Sequence, residues 1–218
     1  MMDWSPLFVS LQTSTTATAI AFVFGVLLAG VSLRAKGFAR AAIDASCTLP
    51  MVLPPTVLGY ALLLAFGKNG PLGKLFLALG VRVVFSWGAT VLAAVVVALP
   101  LVYRTARAAF MQIDPSLVPA ARTLGMTERS IFLRVLIPSA LPGLLAGTAL
   151  AFARALGEFG ATLMLAGNIP GKTQTIPVAI YFAAESGRNN LALRWVAVVA
   201  CISLASVAAL NACERRMK

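Results

Sequence analysis

The chain has no histidine and only seven acidic residues, spread from Asp3 to Glu214. Losing histidine removes the commonest general base and a common metal ligand. Cysteine is equally sparse: Cys47, Cys201 and Cys213 lie far apart and form no CxxC pair. That leaves no basis for a metal cluster or a disulfide framework. Nor do the scattered carboxylates, Glu158 among them, combine with a cysteine into a catalytic constellation, which counts against an intramembrane enzyme. Charged residues make up only 11% of the chain, too few to cover the surface of a soluble domain this long. The excess of positive charge, +11, does not gather on one stripe as nucleic-acid binding would require. The basic residues sit between apolar runs, where membrane topology accounts for them.

Apolar sequence is abundant: 60% of the 218 residues are hydrophobic and the mean hydropathy is +0.90. Runs long enough to cross about 30 Å of hydrocarbon fall at 7–33, 46–67, 83–103, 137–165 and 194–212. The expected fold is therefore an all-α integral membrane protein with five transmembrane helices. Asp3 precedes the first run with no Lys or Arg before it, which reads as a retained span and not a cleaved signal. Trp4 suits a membrane interface.

With the N-terminus outside, the cytoplasmic segments hold Arg34, Lys36, Arg40, Arg104, Arg107, Arg122, Arg129, Arg134, Arg215, Arg216 and Lys218. The opposite face holds only Lys68, Lys74, Arg82, Lys172, Arg188 and Arg194. The positive-inside bias then expects an outside N-terminus and a cytoplasmic C-terminus.

Two spans carry breakers. Pro50, Pro54 and Pro55 crowd the second, and Pro138, Pro142, Gly143, Gly147, Gly157 and Gly160 punctuate the fourth. Proline kinks a helix, and within a bilayer the freed carbonyls must be satisfied by neighbours or by a water-lined cavity. Either close packing or the wall of a moving path would use such residues. Arg154 and Glu158, four apart in the fourth span, suit pairing on one helix face; neither should face lipid. They are read as a structural pair or as a polar element of a path or gate, with Pro54 and Pro55. The hydroxyls of Thr13, Ser14, Thr15, Thr16 and Thr18 are expected to bond back to their own helix carbonyls.

Between the third and fourth spans lies "DPSLVPAARTLGMTERSIFLRVLIPSALPG", longer and more polar than a simple connection needs. Ser116 is a candidate N-cap that puts Pro119 at the third helical position, where no intrahelical donor is required. Leu117, Ala120, Ala121 and Leu124 recur at helical spacing as one small, apolar face flanked by Arg122 and Arg129. Gly125 is expected to end this helix in a left-handed cap. Thr127 then caps a second helix carrying Ile131, Phe132, Val135 and Leu136 to Pro138. Such a segment either rests on lipid headgroups or docks another protein. If it docks one, a bulky charged residue at Ala121 should uncouple the two.

The stretch "PAARTLGMTERSIFLRVLIPSALPG" resembles the cytoplasmic coupling motif of ABC importer permeases. Ala120, Ala121 and Gly125 match its small positions and Ile137–Pro138 its terminal pair, while Pro119 replaces its acidic residue. "LPMVLPPTVLGYALLLAFGKNGPLG" and "ALAFARALGEFGATLMLAGNIPGKTQTIPVAIYFAAESG" are similar to the oxyanion branch, the second being closest to molybdate permeases. Residues 1–218 are thereby expected to form one permease domain, with a coupling segment at about 114–136 in the cytoplasm. The resemblance implies a bacterial inner-membrane protein that forms the translocation path for molybdate by alternating access, with sulfate or tungstate as the alternative substrate. It also implies a homodimer, two cytoplasmic ABC ATPase subunits that bind ATP and Mg, an extracytoplasmic molybdate-binding protein, and no cofactor or catalytic residue in this chain. Coupling would fall to Ala120, Ala121, Arg122, Leu124 and Gly125.

"GNIPGKT" is not a phosphate loop. Ala166 stands where G-x-x-x-x-G-K-[ST] needs its first glycine, so Asn168, Pro170 and Gly171 read as a turn. A secondary carrier or channel would leave the docking segment unexplained and calls for internal repeats that the sequence does not display.

Overall fold

The computed structural model describes residues 3–216, and their side chains except at 207 and 209–216. The side chains of Cys213, Arg215 and Arg216, and Lys218 altogether, lie outside the described residues. Within them every regular element is helical. Helix α1 (Ser5–Arg34) opens with Pro6 in its first turn, where a missing N–H costs nothing. Helix α2 (Gly37–Val52) and α3 (Pro55–Phe66) follow, then the short α4 (Pro71–Ala78) and the long α5 (Trp87–Met111).

Helix α6 (Leu117–Thr123) and α7 (Glu128–Ile131) lead through a π-helical turn (Phe132–Leu136) and α8 (Ile137–Ser139) into α9 (Leu141–Leu156). Helices α10 (Gly160–Ala166), α11 (Ile176–Glu185) and α12 (Asn189–Arg216) complete the chain.

Among the described residues three helices are long and apolar enough to cross a membrane alone: α1, α5 and the Asn189–Ser206 part of α12. Two bent pairs raise the number to as many as five. The first pair, α2 with α3, turns by 116°, and the sequence Leu53–Pro54–Pro55 is the cause. A residue before proline is driven out of the helical region, so Leu53 (ψ 137°) and Pro54 (ψ 139°) are both extended. Pro55 then starts α3, where its fixed φ is an advantage. Pro50, by contrast, sits inside α2 without ending it.

The second pair turns by 75° between Glu128–Ser139 and α9. The π turn, closed by the Ile137 N–H on the Phe132 carbonyl, and Pro138 and Pro142 supply recognised causes of bending.

The sequence-expected fourth span, 137–165, is not continuous. Helix α9 stops at Leu156, and the chain leaves helical geometry before α10 begins at Gly160. Helix α11 was not anticipated as an element because its ten residues are too few for a span. It packs its Ile176 and Ala179 against Trp195 of α12 and is pinned to α1 by a bond from the Ile176 N–H to the Ser10 hydroxyl (2.8 Å).

Helices α1, α5 and α9 form the centre through small residues. Ala17, Ala21, Gly25 and Ala29 recur every fourth position on the buried side of α1, facing Ala94, Ala98, Val102 and Ala106 of α5. Such faces let helix backbones approach in lipid, where dispersion contacts hold helices together. The approach is close: a Cβ on Gly25 would stand 2.8 Å from Val102 Cγ1 and 3.1 Å from the Tyr103 backbone nitrogen. One on Gly143 would stand 2.6 Å from the Ala109 Cβ, and Gly147 meets Thr105 even more tightly.

The hydroxyl patch of α1 only partly follows expectation. Ser14 and Thr15 do bond back to the Leu11 carbonyl. Thr13 instead reaches across to Thr90 (2.9 Å) and accepts from Trp87 Nε1 (3.1 Å), tying α1 to α5. At the helix start, Trp4 meets Trp195 edge-on at 5.9 Å.

Gly25→Leu is expected to destabilise the fold by about 1–3 kcal/mol through overpacking. Gly88→Ala, whose Cβ would meet only Ser86 Oγ at 3.4 Å, should be neutral or gain about 0.4–1 kcal/mol. Reversible unfolding in mixed micelles checks both.

Candidate functional sites

The segment between α5 and α9 is built by local hydrogen bonds. Asp114 accepts the Ser116 N–H (2.8 Å), an Asx turn that starts the helix. This bond and the Ser116 hydroxyl hold the Asp114 carboxyl below its ordinary range. Ser116 occupies the N-cap position, but its side chain makes no capping bond; Asp114 does that work. Pro119 is the third helical residue, where it displaces no bond.

Gly125, at φ +77°, lies in the left-handed region that glycine enters most easily. Its N–H reaches the Arg122 carbonyl (3.0 Å) and the Met126 N–H reaches that of Ala121 (3.1 Å), the paired bonds of a Schellman cap. Thr127 then accepts the Ser130 N–H (3.3 Å) and opens α7.

The apolar face divides. Leu117, Ala120 and Leu124 are exposed, Leu124 at 83%. Ala121 is only 6% exposed, so it belongs to the packing beneath α6 and not to an outer surface. A bulky charge at Ala121 would therefore disturb the segment itself, and Leu124 is the sharper probe.

Arg122 is no free flanking charge. Its Nε lies 2.7 Å from Glu128 Oε1, while Arg34, the last residue of α1, brings Nη2 to 3.1 Å from Glu128 Oε2. The same Arg34 nitrogen donates to the Glu128 carbonyl (3.3 Å). The bond from Arg122, followed by the charges of Arg122 and Arg34, holds the Glu128 carboxyl below its ordinary value of 4.5. Sequence reasoning passed over Glu128, although it is the only acid between Asp114 and Glu158.

A second region collects the breakers. Pro50, Met51, Leu53, Pro55, Leu58, Val97, Leu101 and Arg154 line a cavity of about 170 Å³. Pro54 lies at the bend but is not on this wall. Arg154 is the one charged group lining it. Its Nη1 pairs with Glu158 Oε2 at 2.8 Å; the Arg154 side chain is 37% exposed and that of Glu158 2%.

The two are not on one continuous helix, as their spacing suggested. Helix α9 ends at Leu156, and Glu158 lies in the break, its Oε1 accepting the Ala161 N–H of α10 (2.8 Å). A Cβ on Gly160 would come within 2.8 Å of Pro55 Cβ. The break in the fourth expected span thus touches the bend in the second.

Two further places complete the account. The Tyr103 hydroxyl donates to Asp44, which also accepts from Ser32 (3.4 Å) and lies 3.4 Å from Arg107. This polar knot joins α1, α2 and α5. Asp44, an isolated acid in an apolar run, was the signal for it.

In residues 167–174 the Ile169 carbonyl accepts from the N–H groups of Lys172, Thr173 and Gln174, and the Ile169 N–H goes to the Thr173 hydroxyl. Gly167 and Gly171 have φ +68° and +72°. This is a closed turn between α10 and α11, its Ile169 donor already occupied.

The described residues thus form an all-helical bundle with two bent helix pairs and a capped segment at its edge. Residues 21–218 match the family described as binding-protein-dependent transport system inner membrane component, and the chain belongs to that family. Its relatives include the molybdenum transport system permease protein ModB of Escherichia coli (strain K12), 41% identical over 208 residues covering 93% of this chain and 90% of ModB. The ModB of Haemophilus influenzae is 38% identical over 219 residues, covering 100% and 96%. The fold is shared with an inward-facing MetNI methionine ABC transporter, at TM-score 0.78 and 18% identity over 100% of this chain and 98% of that one.

Arg122→Gln should move the Glu128 carboxyl up towards 4.5. In the unaltered chain the ion pairs contribute above that value and are lost as pH falls through the lower folded one. The pH dependence of the Glu128 side-chain carboxyl ¹³C shift measures both positions.

Proposed function

We propose that this chain is the transmembrane subunit of an ATP-driven molybdate importer, with residues 1–218 forming one permease domain. The observation that carries the reading is the exposed stripe of Leu117, Ala120 and Leu124 on a helix capped at both ends. The one glycine-lysine-threonine turn is closed on itself, so in this reading ATP acts on a partner subunit, and the stripe suits that partner's groove. ModB relatives matched over nearly their whole length support the substrate.

In this reading five spans cross the inner membrane, α2 with α3 and α8 with α9 each counting as one. The N-terminus is outside and the C-terminus cytoplasmic, so 114–136 forms the cytoplasmic coupling segment between the third and fourth spans. Leu117, Ala120 and Leu124 enter the ATPase surface. Ala121 and Gly125 fix the shape behind them, and Arg122 borders the contact.

The working assembly is a homodimer with two ATPase subunits, which bind ATP and Mg, and an extracytoplasmic binding protein that delivers the anion. Pro54, Pro55, Arg154 and Glu158 belong to the translocation path. Arg154 supplies attraction for a dianion in an otherwise apolar cavity. Its pairing with Glu158 keeps that attraction weak enough to release the anion, as conduction through any such site requires. The bend at Leu53–Pro54 and the break at Gly157–Phe159 are where helical halves can swing during alternating access.

The test is reconstitution in liposomes with the ATPase and the binding protein. ATP-dependent molybdate uptake is expected; uptake of sulfate alone would keep the mechanism and change the substrate, and uptake indifferent to ATP would refute the importer. Leu124→Asp should weaken ATPase association about 30-fold, the loss of a 2 kcal/mol interface anchor, with helix content unchanged. Association measured in detergent reads it directly.

A further inference from the structure

We infer that Glu128 is a positioning residue that locks the coupling helix to the cytoplasmic end of α1, so that α6 and the first span move as one body. This rests on the importer reading. It starts from a carboxylate with both oxygens engaged by arginines of two different elements. Arg122 lies in the last turn of α6 and Arg34 closes α1. Arg34 adds a bond to the Glu128 main-chain carbonyl, so it holds the backbone of α7 as well as its side chain.

Beneath this polar contact an aromatic wedge makes a second one. Gly30, one turn before Arg34, is pressed by the ring of Phe132, whose Cε2 would stand 2.5 Å from a Cβ placed there. The Phe132 ring also meets Phe110 of α5, tilted by 59° with ring centres 5.8 Å apart. The start of the π turn is therefore wedged between α1 and α5, and Glu128 fixes the outer edge of the same joint.

Stability is not the purpose. Both ion pairs are about half exposed, and exposed pairs contribute little to folding. What they supply is direction, because two donors from separate elements fix where the carboxylate must lie.

The surrounding charge sharpens the effect. Lys36 and Arg40 follow Arg34 in sequence, Arg129 and Arg134 follow Glu128, and no other acid lies between Asp114 and Glu158. With Glu128 neutralised, Arg34 and Arg122 face each other as like charges, and attraction between α6 and α1 becomes repulsion. Motion imposed on α6 would then be absorbed at the joint instead of reaching α1.

The experiment uses the complete reconstituted assembly and three readouts: ATPase association, ATP hydrolysis, and molybdate carried per ATP. Glu128→Gln should keep association within about twofold while molybdate per ATP falls roughly tenfold, within the range produced by mutations along a coupling route. Arg34→Gln should reproduce the loss. The double variant should lose no more than Glu128→Gln alone, as partners in one interaction do.

An unchanged ratio of molybdate to ATP in Glu128→Gln would overturn the inference. So would loss of ATPase association like that of Leu124→Asp, since Glu128 would then merely shape the docking face. Additive losses in the double variant would also overturn it. ATP-independent uptake by the unaltered chain would remove the importer reading itself, and is seen before any variant is made.

Discussion

Two helices in hydrocarbon gain little by hiding apolar surface from lipid that is just as apolar. What holds this bundle is contact distance, and contact distance is set by side chains too small to keep the backbones apart. The alternation of alanine and glycine along α1, met by the alanine-rich side of α5 and by Gly143 and Gly147 of α9, fixes the centre. Everything that bends does so around that centre. The α2–α3 bend faces it across the cavity shared by Pro55, Leu58, Val97 and Leu101, and the α9–α10 break packs on that bend through Gly160 and Pro55.

The same constraint explains the placement of charge. Glu158 is almost wholly buried, yet each of its oxygens has a donor, one from Arg154 and one from the Ala161 backbone. Asp44 is treated likewise by Tyr103, Ser32 and Arg107. These acids work as fasteners between helical segments, each at a place where a span is interrupted or joined. Glu128 does outside the apolar bundle what the other two do within it.

Much of this was legible in the sequence, and the failures have identifiable causes. The long spans follow from length and hydropathy, and the bend of the second from Leu53–Pro54–Pro55. The helix–glycine–helix form of 117–136 follows from Pro119, Gly125 and Thr127, whose effects are local. Whatever depended on distant partners was hidden. Ala121 and Leu124, the latter capping the seven-residue α6, look equivalent until the bundle beneath decides which is covered. Arg122 has its partner Glu128 only six residues on, which sequence reasoning passed over; Arg34, 94 residues from Glu128, was the part that could not be seen. Arg154 and Glu158 had the right spacing for a helical pair, but the pairing survives across a break that periodicity could not register. Thr13 was assigned to its own helix because Thr90 and Trp87 cannot be seen from it.

The division of the second span has a consequence for what holds it in place. Its halves contain 16 and 12 residues, each short of the about 20 that cross a bilayer unaided. Neither half could therefore span by itself. Helix α2 rests on α5 and α1, while α3 rests on α10, so the two halves of this span are held by elements from distant parts of the chain. The pair is apolar enough to count as one span only when taken together, so its bent shape depends on the neighbours that hold each half.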